Sequence, residues 1–98
     1  MKNKVSILGT TYKIELVDKS ELEPGIAGNC DQEEKIIRVD KDTRQFNAVL
    51  RHELIHAFFY ESGLGEEVDW VNENSVDWIA IQFPKIAKVI TELDIMEG

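Results

Sequence analysis

His52 and His56 are the chain's only histidines, and they stand four residues apart in the run His52-Glu53-Leu54-Ile55-His56. On a helix, positions i and i+4 lie one turn apart on the same face. Side chains so placed start about 5–6 Å apart, close enough for two imidazoles to hold one Zn²⁺. Glu53, beside the first histidine, is placed to take a proton from metal-activated water. The chemistry this spacing implies is metal-assisted hydrolysis with Glu53 as general base. Such a short pattern also arises by chance, so it needs a helix to carry it and a third ligand beyond it.

The surrounding residues supply the helix. Phe46, Val49, Leu50, Ile55 and Phe59 recur with the two histidines at helical intervals, and no proline or glycine interrupts residues 42 to 62. Asp42 with Gln45 three residues on reads as a capping box, and Gly63 is suited to end the helix in a left-handed turn. His52, Glu53 and His56 therefore fall mid-helix, where a rigid backbone can hold ligand geometry.

The third ligand must come from a carboxylate. Phe59 and Ser62 occupy the positions that a glycine and a third histidine take in the extended form of this motif. Glu61, Glu66, Glu67, Asp69, Glu73 and Asp77 remain. A second helical region runs from about Val71 to Leu93, with Val76, Ala80, Phe83, Ala87, Ile90 and Leu93 tracing an apolar stripe expected to be buried. Glu73 extends that stripe by one turn, and a glutamate in phase with a core is costly unless paired or metal-bound. Glu73 is accordingly the preferred third ligand. The competing reading is an N-terminal helix acid favoured by the helix dipole. Asp77 suits a supporting place, accepting a hydrogen bond from a ligand histidine's other ring nitrogen. Pro84 is expected to kink this region or split it in two.

Upstream, residues 4–8 and 11–17 read as strands around Gly9-Thr10, the second alternating Tyr12, Ile14, Leu16 against Lys13 and Glu15. Pro24-Gly25 marks a turn, and residues 26–31 and 35–40 read as a hairpin. Strands followed by helices imply an α+β layer, a small antiparallel sheet packed on two or three helices. The 35–40 strand is a candidate edge for binding an extended peptide. Tyr60 is a candidate oxyanion donor, although packing on the core is the plainer role for a tyrosine there, and Trp70 and Trp78 read as core or cleft wall.

Ninety-eight residues are expected to form one domain, residues 1–98. The short apolar patch after Lys2 and Lys4 does not make a signal peptide, and no apolar run is long enough to span a membrane. A lone cysteine, Cys30, fits a reducing cytoplasm and reads as an inert half-buried thiol, with a reactive thiol or an extra metal ligand as the alternatives. The net charge is −8, and no lysine or arginine occurs between Arg51 and Lys85. That balance attracts divalent cations and argues against direct nucleic-acid binding.

The segments His52-Glu53-Leu54-Ile55-His56-Ala57 and Glu73-Asn74-Ser75-Val76-Asp77-Trp78-Ile79-Ala80 together resemble the two signatures of ImmA/IrrE-type zinc metallopeptidases. Val76 stands where alanine is more usual. Gly28-Asn29-Cys30-Asp31 and Lys35-Ile36-Ile37-Arg38-Val39-Asp40 are similar to short phage and prophage members. The likeness covers roughly residues 5 to 80, without the helix-turn-helix of larger members and with Gln82-Phe83-Pro84 closing the second segment. It implies a zincin-like minimal fold, zinc held by His52, His56 and Glu73, and Glu53 as catalytic base. It also implies cytoplasmic peptide-bond hydrolysis in a protein substrate, often a repressor of a mobile element. Two other readings stay open: a zinc-stabilised, catalytically inactive interaction module of anti-repressor or inhibitor type, and a metal-free helical domain. Neither the oligomeric state nor the substrate follows from the sequence.

Overall fold

The computed structural model describes residues 3–64 and 71–97. In chain order it contains β1 (Lys4–Ile7), β2 (Thr10–Val17), a 3₁₀ turn (Lys19–Glu21), β3 (Gly28–Asp31), β4 (Ile36–Asp40), α1 (Phe46–Glu61) and α2 (Glu73–Glu92). The result is a small mixed α+β fold, a four-stranded sheet with two helices.

Strand order is β1-β2-β4-β3. The outer pairs are antiparallel hairpins, but β2 runs parallel to β4, with Ile14 opposite Ile37 and Leu16 opposite Val39. This corrects the expected all-antiparallel sheet. A parallel pair needs a crossover of a dozen or more residues, and residues 18–35, which include β3, provide it. β4 is consequently interior, paired on both sides, and the sheet's edges are β1 and β3 rather than the 35–40 strand.

Ile7, Tyr12, Ile37 and Val39 bury one sheet face against Ala57 of α1, with Phe46, Val49, Leu50 and Leu54 packed around them. Leu16 breaks the expected alternation and points to solvent. α1 begins later than the sequence suggests, and no Asp42–Gln45 capping box forms. The Asp40 carboxylate accepts from the Asp42 amide and Thr43 Oγ1 accepts from the Gln45 amide, so a tight turn precedes the helix. Its C-terminus behaves as expected. Gly63 has φ +88°, and the Gly63 and Leu64 amides donate to the Tyr60 and Phe59 carbonyls, the bonds of a Schellman motif.

That end of α1 is fastened to the sheet by one carboxylate. Glu61 accepts hydrogen bonds from Thr10 Oγ1 (2.9 Å), Tyr12 OH (2.7 Å) and Lys35 Nζ (2.9 Å). Lys35 also lies 4.5 Å from the centre of the Tyr60 ring. The Tyr12 bond, then those from Lys35 and Thr10, hold the Glu61 carboxyl down at about 2, while burial, followed by Glu61 itself, raises the Tyr12 hydroxyl above its usual range.

At the opposite margin of the sheet the approach is set by a missing side chain. A Cβ on Gly28 would lie 2.7 Å from Val49 Cγ1 and 2.9 Å from the Arg38 carbonyl oxygen. Glycine there lets β3 close on α1.

Two predictions follow from these contacts. Glu61 is depressed from 4.5 to about 2, so its stabilising effect is complete above about pH 4.5 and is lost as pH falls toward about 2. Glu61→Gln should flatten the acid limb of a urea-midpoint series, and parallel curves for the two proteins would refute the clamp. Gly28→Ala should cost about 1–3 kcal/mol, the usual penalty of overpacking; an unchanged unfolding midpoint would show that the strand can back away freely.

Candidate metal centre

α1 presents two functional faces. Phe46, Leu50, Leu54 and Ala57 meet the sheet, and His52 and His56 lie roughly 115–155° round the helix from the centre of that face. The two rings sit edge to face with centroids 5.0 Å apart. Glu53 falls between these faces and is buried, whereas both histidines are half-buried.

The start of α2 delivers the carboxylates. Asn72 caps the helix: its side chain accepts from the Ser75 amide, and Ser75 Oγ accepts from the Asn72 amide. Val71 and Val76, both buried, flank this cap in the positions of a hydrophobic staple, which fixes the entry angle of the chain. Glu73 is thereby the first helical residue, with Asp77 one turn on. Glu73 Oε1 lies 2.9 Å from His56 Nε2, and Glu73 Oε2 lies 3.0 Å from His52 Nε2. Asp77 Oδ1 lies 2.7 Å from His52 Nδ1. Ligand atoms of His52, His56 and Glu73 all fall within 4.8 Å of one another.

His52 thus faces a carboxylate through each ring nitrogen. A neutral imidazole carries one N–H and can donate to only one of them. A cation held by His52 and Glu73 would resolve the conflict, because the other ring nitrogen could then donate to Asp77. Two imidazoles and one carboxylate form a donor set suited to zinc with a coordination position left open. The residues present therefore fit a divalent metal.

A cleft of about 520 Å³ opens over this group, lined on one side by Gly28, Asn29 and Cys30 of β3 and on the other by His52, Glu53 and His56. Burial, opposed by His52 and reinforced by Glu73, pushes the Glu53 carboxyl up to about 7. Burial, and then the neighbouring Glu53 charge, pushes the Cys30 thiol up to about 12. Cys30 remains a thiol at neutral pH, as expected of an inert half-buried cysteine.

Glu73 and Asp77 stand where helical phase places them, but the supporting reason needs correction. Glu73 is 73% exposed, so it continues the histidine contact rather than a buried stripe. Of the proposed stripe only Val76 and Ala80 are buried; Phe83 and Leu93 are open to solvent. Pro84 lies inside one continuous α2. Tyr60 sits beneath Lys35 and does not line the cleft, Glu61 belongs to the sheet clamp, and Trp78 is exposed rather than core. Glu66, Glu67, Asp69 and Trp70 lie outside the described residues. Sequence reasoning missed the β3 edge as the cleft wall, and Gly28 within that strand was the available signal.

Comparison of the chain with protein-family models, curated proteins and solved structures gives no match. The site itself therefore carries the functional reading, and it defines a histidine–histidine–glutamate group able to hold a metal ion. No helix among the described residues is long and apolar enough to cross a membrane.

Asp77→Asn leaves the ligand atoms in place but replaces the carboxylate that holds the His52 ring. Metal affinity should fall about 10- to 100-fold, measured by competition with a chromophoric chelator. Unchanged affinity would remove Asp77 from the site.

Proposed function

We propose that this protein is a zinc-dependent peptidase on a minimal zincin-like fold, akin to the ImmA/IrrE-type metallopeptidases, and that residues 1–98 form that unit. The observation that carries the reading is the convergence of His52, His56 and Glu73, with Asp77 behind His52 and Glu53 in the same cleft. His52, His56 and Glu73 would hold the zinc. When bound, zinc supplies a Lewis acid that polarises a carbonyl and makes water more acidic.

The chain's own residues do the rest. The Glu53 carboxylate takes a proton from the attacking water and returns it to the leaving amine nitrogen. Asp77 accepts from His52 Nδ1–H and keeps that ring's Nε2 turned toward Glu73. β3, unpaired on its outer side, offers backbone groups to an extended peptide by strand addition along the cleft. The substrate class is accordingly a protein or peptide with an extended segment, such as a repressor, and the place of action is the cytoplasm.

Zinc content by elemental analysis, paired with cleavage of an unfolded protein substrate, tests this. Wild type and Glu53→Gln should hold about one zinc per chain, and Glu73→Ala should retain little. Cleavage should fall roughly 10²–10⁴-fold in Glu53→Gln. Zinc with a partner-binding function indifferent to Glu53→Gln would establish the inactive interaction module instead. Absence of zinc after reconstitution would end the enzyme reading.

A further inference from the structure

The apolar arc of α2 is wider than this fold uses. Val76 and Ala80 are its buried residues. Trp78, Phe83, Ile86, Val89 and Leu93 fall within about 140° of helix surface beside them. They are 61%, 55%, 46%, 54% and 63% exposed. With Ile95 and Met96, also exposed beyond the helix end, they present on the order of 800 Å² of apolar surface, what one partner of a specific interface buries. That exceeds the largest patch of a typical monomer, about 300–600 Å².

The charges along this face indicate what covers it. Lys85 and Glu92 are seven residues apart, two turns on one flank of the apolar arc. Neither makes an ion pair among the described residues. In an antiparallel helix pair, like flanks meet across a two-fold axis. A dyad between Lys88 and Val89 sets Lys85 against Glu92 of the partner subunit at both ends, whereas a parallel pair brings unlike flanks together and leaves Lys85 and Glu92 unpaired. The segment is thus self-complementary although the whole chain carries a net charge of −8.

We infer that the C-terminal half of α2 is a homodimer interface, pairing antiparallel with a second copy of this chain about a two-fold axis near Val89. Glu73 lies about 23 Å along the helix from that axis, so the two metal centres stand about 45 Å apart. Both clefts stay open. This inference is independent of the metal chemistry.

Sedimentation equilibrium of the full chain tests it, with circular dichroism to check that each variant is folded. Wild type should be dimeric at about 100 µM. Val89→Glu should be monomeric. Lys85→Glu should weaken association about tenfold, and Lys85→Glu combined with Glu92→Lys should restore it. A monomeric wild type would overturn the inference. So would a dimer that ignores Val89→Glu, or one for which the double charge exchange is no better than Lys85→Glu alone.

Discussion

Two carboxylates converge on the ring of His52. Asp77 and Glu73 approach its two ring nitrogens at 2.7 and 3.0 Å, and Glu73 also reaches His56 at 2.9 Å. Each helix contributes an i, i+4 pair, histidines on α1 and carboxylates on α2, and the facing pairs interlock. Neutral imidazoles leave this cluster short of positive charge. Arg51 lines a small cavity with His52 and Asp77, but no lysine or arginine occurs between it and Lys85. A divalent cation held there would compensate the carboxylates and assign the tautomer of His52 at once. Because apolar burial on α2 is limited to Val76 and Ala80, the polar cluster is a large part of what orients α2 on α1. An ion bound there would stabilise the docked helix over any detached arrangement.

The other side of α1 meets an opposite constraint. Facing the sheet, space rather than charge is scarce, and Gly28 lets the β3 backbone approach Val49 and Glu53. The Glu61 clamp holds the C-terminal end of α1 over Thr10, Tyr12 and Lys35. Between these two fixtures Glu53 is buried in the cleft wall, where its carboxyl titrates near 7. A carboxylate in that range exchanges protons readily near neutral pH. Rigidity on the sheet side thus gives the floor against which the α2 carboxylates can be aligned.

What was legible in the sequence was local. His52, Glu53 and His56 share one helix, and Glu73 and Asp77 another, so 3.6-residue periodicity sufficed to pair them. Gly63 was legible because a left-handed helix end selects glycine. Strand pairing was not, because whether residues 36–40 join β2 parallel or antiparallel depends on how the intervening crossover runs, which no local pattern encodes. The capping error has a similar cause: Asp40 and Thr43 satisfy the amides that Asp42 and Gln45 were expected to share. Glu73 was identified through a stripe that is not buried there. Its phase was right because the histidines occupy the same side of α2 that the core does further along.

α2 divides into two halves with different duties. Its first two turns carry Glu73 and Asp77, which meet the histidines, and the buried Val76 and Ala80. Pro84 follows at once, and its missing N–H removes the bond to the Ala80 carbonyl. Beyond it the helix keeps its amphipathic pattern, with Ala87 and Ile90 half-buried and Ile86, Val89 and Leu93 exposed. A pattern of this kind specifies that a face is to be covered but not by what, which is why periodicity alone placed Phe83 and Leu93 in a core that the fold does not build. The flank pairing of Lys85 with Glu92 supplies the missing information, because it distinguishes a two-fold partner from an intramolecular one. One helix can thereby serve the chemistry at its N-terminus and association at its C-terminus, with enough length between them that neither obstructs the other.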